Sequence, residues 1–194
     1  RLRAAIQASR EANMPKENIT RAISKSEIDV NKNYESLRYE GFGPHKVALV
    51  IETLTDNKNR TASNLRTILQ KSGGRLGETG STSHYFFSCG ILHVAKDKIS
   101  GEKILDLSIN ANAKDCFSNS EYHEILTERE DFYKIKSEIE KNIDSFLYSG
   151  IEWRPQTYLD ISREESDAVV KMLETLEDDD DVQNTFVNCN IHIN

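Results

Sequence analysis

The residues of this sequence best suited to chemistry form a glycine-rich segment, Gly73 to Ser81, with the sequence GGRLGETGS. A phosphate-binding loop of the Walker type would carry Lys and then Ser or Thr after its last glycine, and it would open a helix. Here Gly80 is followed by Ser81 and Thr82 and then by a predicted strand. The pattern therefore argues against nucleotide binding and, taken alone, indicates a tight connection that uses glycines with positive φ.

The sequence before this segment is strongly basic. No acidic residue occurs from Asn57 to Gly77, and the stretch contains five basic side chains: Lys58, Arg60, Arg66, Lys71 and Arg75. Glycine N–H groups beside arginines are suited to the phosphate oxygens of a nucleic-acid backbone. The same cations are also typical of the solvated outer face of a helix. The residues alone leave both interpretations open.

Other catalytic or metal centres are not indicated. The chain has no G-x-S-x-G nucleophile elbow, and the spacing of His84, Cys89 and His93 matches no standard zinc site, which favours ordinary strand residues. Three widely spaced cysteines without a C-x-x-C motif fit a reducing compartment and argue against a disulfide scaffold. We therefore expect no catalytic residue, no metal and no cofactor.

Charge is distributed unevenly along the 194 residues, whose formal net charge is −7. Residues 1–25 carry six basic and two acidic side chains, whereas the remainder carries 19 basic and 30 acidic ones. A basic head on an acidic body indicates an anionic partner, although a solvated helical face is the interpretation that charge alone favours. The acidic run from Glu177 to Asp181 predicts a solvated turn. No apolar run approaches the ~20 residues of a membrane helix, so we expect no membrane insertion.

The elements that would position these residues begin with helical periodicity. Residues 2–10 and 15–25 predict two short helices, and residues 26–33 read as a linker. Strands are predicted at residues 34–40 and 46–53, a helix at residues 59–72, and a further strand at residues 84–87. The glycine-rich segment thus connects a helix to a strand.

The rest of the chain predicts a second unit and a return to the first. Residues 91–153 show the order βαββαβ, which is the ferredoxin-like pattern. A strand at 157–161, a helix capped by Ser162 and a strand at 187–193 follow. The predicted fold class is therefore α+β and multidomain. The predicted domains are residues 1–33 (helical part and linker), 34–90 joined to 155–194 (α+β), and 91–154 (inserted and ferredoxin-like).

Several long motifs together resemble the YebC family, which includes the mitochondrial translational activator of cytochrome oxidase. The matching stretches read RLR (1–3), NMPKENI (13–19), YEGFGP (39–44), LTDNKNRT (54–61), GGRLGETGS (73–81) and DDVQN (180–184), together with Pro155. The resemblance spans the chain and implies an N-terminal helical domain and two α+β domains, the third inserted in the second. It also implies that a basic family segment precedes Arg1.

Departures from the family pattern occur at two places. Where bacterial members often have Gly-Pro-Gly-Gly, this chain has Gly43-Pro44-His45-Lys46. Residues 112–128 are divergent, which weakens the transfer of site residues there. The motifs at 54–61 and 73–81 are unchanged.

The resemblance implies a translation factor that acts at the ribosome, and we expect a monomer that contacts rRNA, with tRNA and DNA as further candidate partners. The expected nucleic-acid-binding residues are Arg3, Arg10, Lys16, Arg21, Lys58, Arg60, Arg66, Lys71, Arg75, Gly77, Thr79 and Gly80. The alternative is a DNA-binding transcriptional regulator, since many bacterial members carry that description. A protein-interaction scaffold is a third class. The expected location is the mitochondrial matrix or the bacterial cytoplasm.

Overall fold

The computed structural model describes residues 33–192. In this part of the chain the α-helices are α1 (Lys58–Lys71), α2 (Gly101–Asn110), α3 (Phe132–Glu140) and α4 (Arg163–Glu177). The strands are β1 (Glu35–Phe42), β2 (Ala48–Thr55), β3 (Arg75–Leu76), β4 (Phe86–Ala95), β5 (Asp115–Ser118), β6 (Tyr122–Glu128), β7 (Tyr148–Pro155) and β8 (Val182–Val187). The predicted helices at 2–10 and 15–25 lie outside the described residues. The predicted α+β class is confirmed.

The strands form two antiparallel sheets of four strands each within the described residues. The first sheet has the order β3-β1-β2-β8, and the second has the order β5-β6-β4-β7. All strand pairs in both sheets are antiparallel. The first sheet is therefore assembled from chain segments on both sides of the second one.

Helix α1 has clear start and stop signals. The Asn57 side chain accepts a hydrogen bond from the Arg60 N–H at 3.1 Å, which caps the first turn. At the other end the Gly74 N–H donates to the Leu69 carbonyl at 2.7 Å, and Gly73 has a φ of +80°. This left-handed residue ends the helix, as glycine does without steric cost. The helix therefore delivers the chain directly into the glycine-rich segment.

One face of the first sheet is covered by α1 and α4. The buried cluster joins β2 to both helices through Leu49, Ile51, Leu65, Leu69 and Met172. Burying each such side chain contributes about 1.5–3 kcal/mol relative to leaving it exposed. Helix α4 begins with a capping box, in which Ser162 and Glu165 exchange side-chain and backbone hydrogen bonds.

The second sheet has its own core and meets the first sheet at a third cluster. Helices α2 and α3 cover one face of the second sheet through Ile104 and Ile135, which pack against Leu92. The opposite face of β2 contacts Phe86 and the partly buried Trp153. Trp153 also donates its indole N–H to Glu52 Oε1 at 3.0 Å, which links the two sheets by a polar contact.

The predicted strand at 84–87 is wrong, because residues Ser83–Tyr85 form a 3-10 turn and β4 then runs without a break to Ala95. Gly90 lies in the middle of β4. A Cβ atom there would lie 2.3 Å from Phe132 Cδ2, so the glycine permits close packing of α3 on the strand. Residues 86–90 consequently pair with β7 in the second sheet.

The predicted strands at 157–161 and 187–193 are also wrong. Strand β8 lies earlier in the chain and ends at Val187, after which the side chain of Asn188 accepts the Ala48 N–H at 2.7 Å. Beyond that point Leu159 and Cys189 form one isolated parallel bridge. The alternating apolar residues here pack into the core without continuing the ladder of β8.

Candidate nucleic-acid interface

The structure separates the predicted basic residues into two groups along α1. The helix has 14 residues, so its ends lie about 20 Å apart. Lys58 and Arg60 lie in its first turn, whereas Lys71 lies in its last turn and Arg75 follows in β3. All of these side chains, together with Arg66 in the middle of the helix, are exposed. The predicted contacts Arg3, Arg10, Lys16 and Arg21 lie outside the described residues.

Arg60 is engaged in an ion pair with an acidic residue far along the chain. Its Nη2 lies 2.9 Å from both Oδ1 and Oδ2 of Asp181, and 2.8 Å from Oδ1 of Asp56. Asp181 is buried and also accepts hydrogen bonds from the hydroxyls of Thr61 at 2.7 Å and Thr55 at 3.1 Å. The guanidinium therefore ties the start of α1 to the residue that precedes β8.

The prediction of a solvated turn from Glu177 to Asp181 is wrong for Asp181. Burial raises the pKa of this carboxyl, but hydrogen bonds from Thr61, Arg60 and Thr55 outweigh burial and hold the pKa below its ordinary value. Asp181 is thus an ionised anchor in the fold. Sequence reasoning missed it because five consecutive acidic residues look alike until one of them is paired.

The glycine-rich segment is held by hydrogen bonds to the buried residue Glu40, which is not among the predicted site residues. Glu40 is 2% exposed, and its Oε2 accepts the Thr82 N–H at 2.8 Å and the Thr82 hydroxyl at 3.1 Å. Its backbone carbonyl accepts the Gly77 N–H at 2.8 Å. The other carboxylate oxygen, Oε1, lies 3.1 Å from Arg38 Nη2. Glu40 lies in the family motif YEGFGP, but its residue type does not indicate this role, because an acidic residue in a strand ordinarily faces solvent.

The Glu40 carboxylate accepts hydrogen bonds from backbone N–H groups where the glycine-rich segment ends. Burial raises its pKa, but hydrogen bonds from the backbone of Thr82 and Gly80 and from the Thr82 hydroxyl hold the pKa below the ordinary value. The N–H of the predicted contact Gly77 is also directed to the protein itself, because it donates to the Glu40 carbonyl. Thr79 and Gly80 are exposed at the tip of the segment.

Close backbone packing brings the β1–β2 turn to the glycine-rich segment. A Cβ atom on Gly74 would lie 2.2 Å from the Phe42 carbonyl oxygen, and Phe42 pairs with Arg75 in the first sheet. The side of the sheet that carries Lys71 and Arg75 therefore also carries the turn Pro44–Lys46. We call this region the loop end of the first sheet, and it comprises residues 42–46 and 71–85.

The β1–β2 turn contains two consecutive residues with left-handed backbone, His45 with a φ of +56° and Lys46 with a φ of +64°. These are the positions at which bacterial family members often have glycine, the residue that this conformation favours. His45 Nδ1 lies 3.1 Å from Glu165 Oε1 at the start of α4. Lys46 is exposed and adds a cation to the loop end that sequence reasoning did not include.

The loop end also carries a row of rings, which we call the aromatic row: Phe42, Tyr85 and His84. The Arg75 guanidinium lies 5.2 Å from the centroid of the Phe42 ring. Phe42 meets Tyr85 edge to face at a centroid distance of 6.4 Å, and His84 lies over Tyr85 at 4.0 Å. His84 and Tyr85 are both exposed. A cation and three rings thus follow one another across this surface.

Metal-binding residues are not brought together in the described residues. No group of three or more His, Cys, Asp or Glu side chains there could hold a metal ion. Cys89 is buried in β4, and burial raises the pKa of its thiol to about 11, which keeps it protonated. His93 Nε2 lies 2.8 Å from Glu124 Oε2 on the second sheet. None of the described helices is long and apolar enough to cross a membrane.

Comparisons with known proteins reveal close relatives. A family model described as the TACO1/YebC second and third domain matches residues 34–189. A probable transcriptional regulatory protein of Pelagibacter ubique is 52% identical over 194 residues, which are 100% of this chain and 80% of that protein. One of Zymomonas mobilis is 44% identical over 191 residues, 98% of this chain and 77% of that protein.

A solved structure shows the same fold. The crystal structure of a conserved hypothetical protein from Aquifex aeolicus superposes with a TM-score of 0.80 at 36% sequence identity. The alignment covers 99% of this chain and 80% of that chain. The two sheets and their helices are therefore shared by distant relatives.

Proposed function

Since this chain belongs to the TACO1/YebC family, we propose that it is a regulatory protein that binds nucleic acid and performs no covalent chemistry. The observation that carries this proposal is the loop end of the first sheet, which contains the exposed side chains of Lys46, Lys71 and Arg75. The stretch from Asn57 to Gly77 contributes no acidic side chain to it. Clustered cations of this kind bind backbone phosphates and release counterions.

Two nucleic acids are candidates. The relatives in Pelagibacter and Zymomonas are named as probable transcriptional regulatory proteins, which supports DNA binding and control of transcription. The second candidate is a ribosome-associated factor that binds RNA and supports translation. It is supported by the motifs of this chain, which resemble a family that includes a mitochondrial translational activator.

The domain arrangement belongs to the same proposal. We propose that the second sheet with α2 and α3 is a ferredoxin-like unit inserted into the domain of the first sheet. Its element order βαββαβ and its strand order β5-β6-β4-β7 support this assignment. In this arrangement the loop end belongs to the domain of the first sheet, and the inserted unit contributes no residue to it.

A salt titration tests the proposal directly. Purified full-length protein is mixed in parallel with ribosomes and with fragmented genomic DNA, and bound protein is measured as KCl rises. The double variant K71Q/R75Q should lose about tenfold in affinity near 0.1 M salt, and its log–log salt slope should fall by about 1–2.

The matched control is K103Q/K134Q, which removes two exposed lysines from α2 and α3 and so changes the net charge by the same amount. Its binding should stay within twofold of wild type. Equal losses in both variants would show that only net charge matters and would contradict the proposed interface. Preferential binding to ribosomes favours the translation factor, and preferential binding to DNA favours the transcriptional regulator.

A further inference from the structure

We propose that the aromatic row at the loop end is a stacking site for unpaired bases of RNA. This inference rests on the proposed function and names the part of a nucleic acid that the site would take. Tyr85 and His84 would hold a base, and Arg75 and Lys71 would contact the phosphates on either side of it. Two observations support this proposal: the geometry of the rings and the charges beside them.

The ring geometry leaves part of Tyr85 uncovered. Tyr85 meets Phe42 edge to face at 6.4 Å and lies 4.0 Å from the His84 ring, which is tilted by 39°, yet 37% of the Tyr85 residue remains exposed. Aromatic side chains with an exposed face bind bases of any sequence, because every base has a π-face. The row therefore has exposed ring surface that its internal contacts do not cover and on which a base could stack.

The backbone beneath the row is held on both sides. The Tyr85 N–H donates to the Thr82 carbonyl at 2.9 Å, and the Tyr85 carbonyl accepts the Gln156 N–H at 2.8 Å. Thr82 is itself held by the buried carboxylate of Glu40. These hydrogen bonds hold the backbone that carries the rings before any ligand arrives, and such preorganisation lowers the entropy lost on binding.

The charges beside the row fit an anionic backbone. Lys71 and Arg75 are both exposed, and Arg75 lies over the Phe42 ring of the row. The acidic residues of this region are Glu40, which is buried, and Glu165, which contacts His45, together with the exposed Glu78 in the loop. Rings with adjacent arginines and lysines are typical of proteins that follow single strands.

The arrangement favours unpaired RNA over a duplex or a protein segment. Bases in a duplex are stacked on each other and present only their edges, so a flat ring surface gains little from them. Folded RNA leaves bases unpaired in loops, bulges and ends, and proteins commonly stack these on Tyr, Phe, His or Arg. An acidic protein segment would form ion pairs with the cations, but its carboxylates would gain nothing from contact with the rings.

The test measures binding of short oligonucleotides to the full chain by fluorescence anisotropy. The probes are a 12-nucleotide oligo(A) RNA, the matching oligo(dA), and a 12-base-pair RNA duplex. Removing the ring in Y85A should weaken oligo(A) binding about tenfold, since one base–aromatic stack is lost. Y85L keeps apolar volume against Phe42 without a π-face, so it should lose nearly as much. Y85F should stay within twofold of wild type, and duplex binding should be unchanged in all three variants.

Tyr133 provides a matched control. Tyr133 lies on α3, which packs on the second sheet, and it is 67% exposed. It meets its neighbour Phe132 edge to face at 5.1 Å, but the residues around it in the sequence carry mixed charge. Y133A should bind oligo(A) as wild type does. Thermal unfolding of each variant shows whether the fold is retained.

The outcomes separate this inference from the function on which it rests. Wild-type protein that binds neither RNA, ribosomes nor DNA would overturn both, and wild-type protein that binds DNA alone would overturn only the stacking site. Wild-type protein that binds RNA, with Y85A and Y85L equal to it, would overturn only the stacking site. Equal losses of single-stranded and duplex binding in Y85A would also overturn it, because they indicate a structural role. Tighter binding of oligo(dA) than of oligo(A) would overturn the choice of RNA.

Discussion

The two ends of α1 carry the same kind of side chain and use it in opposite ways. At the first turn, Arg60 donates to the buried carboxylate of Asp181 and to Asp56. At the last turn, Lys71 is exposed, and Arg75 in the following strand lies over a ring without an acidic partner in the described ion pairs. One acid-free stretch of sequence thus contains both a structural anchor and cations of the proposed binding surface.

This difference shows that a count of cations along a chain does not measure the charge available to a ligand. The partner that engages Arg60 lies 121 residues later and reaches it only because β8 pairs with β2. A buried ion pair supports the fold when its oxygens are also hydrogen-bonded, as those of Asp181 are. Experiments that remove one charge at each end should therefore affect different properties.

The largest expected effect comes from removing the anchor at the first end. D181N should lower the free energy of unfolding by about 2–3 kcal/mol, because the Thr55 and Thr61 hydroxyls and the Arg60 guanidinium lose a charged acceptor inside the fold. Urea denaturation at pH 7 measures this change. D180N alters the neighbouring exposed carboxylate and should change the same quantity by less than about 0.5 kcal/mol.

The pH dependence checks the cause of that loss. The native pKa of Asp181 lies below its ordinary value, so its contribution to stability is present above the unfolded pKa of about 3.9 and is lost as pH falls through the native value. The gap between wild type and D181N should therefore narrow on acidification below pH ~4. A gap that stays constant down to pH 2 would contradict an ionised anchor.

A smaller effect on stability is expected from Arg60 itself, and this variant distinguishes the two ends of α1 most directly. R60Q should lower the Tm by about 2–4 °C, because an exposed guanidinium contributes less than the buried carboxylate it contacts. Its affinity for ribosomes or DNA should remain within twofold of wild type, the opposite of K71Q/R75Q. Thermal unfolding and co-sedimentation on the same preparations measure both properties. A tenfold loss of affinity in R60Q would erase the distinction between the two ends.

The smallest effect is expected at the strained turn of the loop end. K46G should be more stable than K46A by about 1 kcal/mol, since Lys46 has a φ of +64° and glycine adopts that region without steric cost. Both variants lose the same charge, so their affinity for nucleic acid should fall equally and modestly. Equal stability of the two variants would show that the turn carries no backbone strain.

Much of the local structure was predictable from periodicity and caps. The helix predicted at 59–72 is found at Lys58–Lys71, because Asn57 supplies a cap and the glycine pair ends the helix. The apolar run from Val47 to Ile51 predicted a buried strand in the same way. Prediction failed at the start of β4, where Gly90 lies within a continuous strand, and after Asn188, where alternation continues beyond the end of the ladder.

The candidate site was predictable only in part. Residue type alone predicts Lys71, Arg75 and the glycine-rich segment, and the structure adds that Arg75 lies over the Phe42 ring. The role of Glu40 was not predictable, because it depends on a loop that begins 37 residues later and folds back over β1. The predicted contacts before residue 33 lie outside the described residues.

The sequence by itself determined where the chain is basic, where it can turn, and which faces of its helices and strands are apolar, because these properties depend on neighbouring residues. Only the tertiary structure decided which charges remain available. Asp181 engages one end of α1, and Glu40 accepts the N–H groups of Gly77 and Thr82, through pairings that join distant parts of the chain. Packing of β8 and of the loop selects those partners, since buried polar groups must find hydrogen bonds wherever the fold brings them.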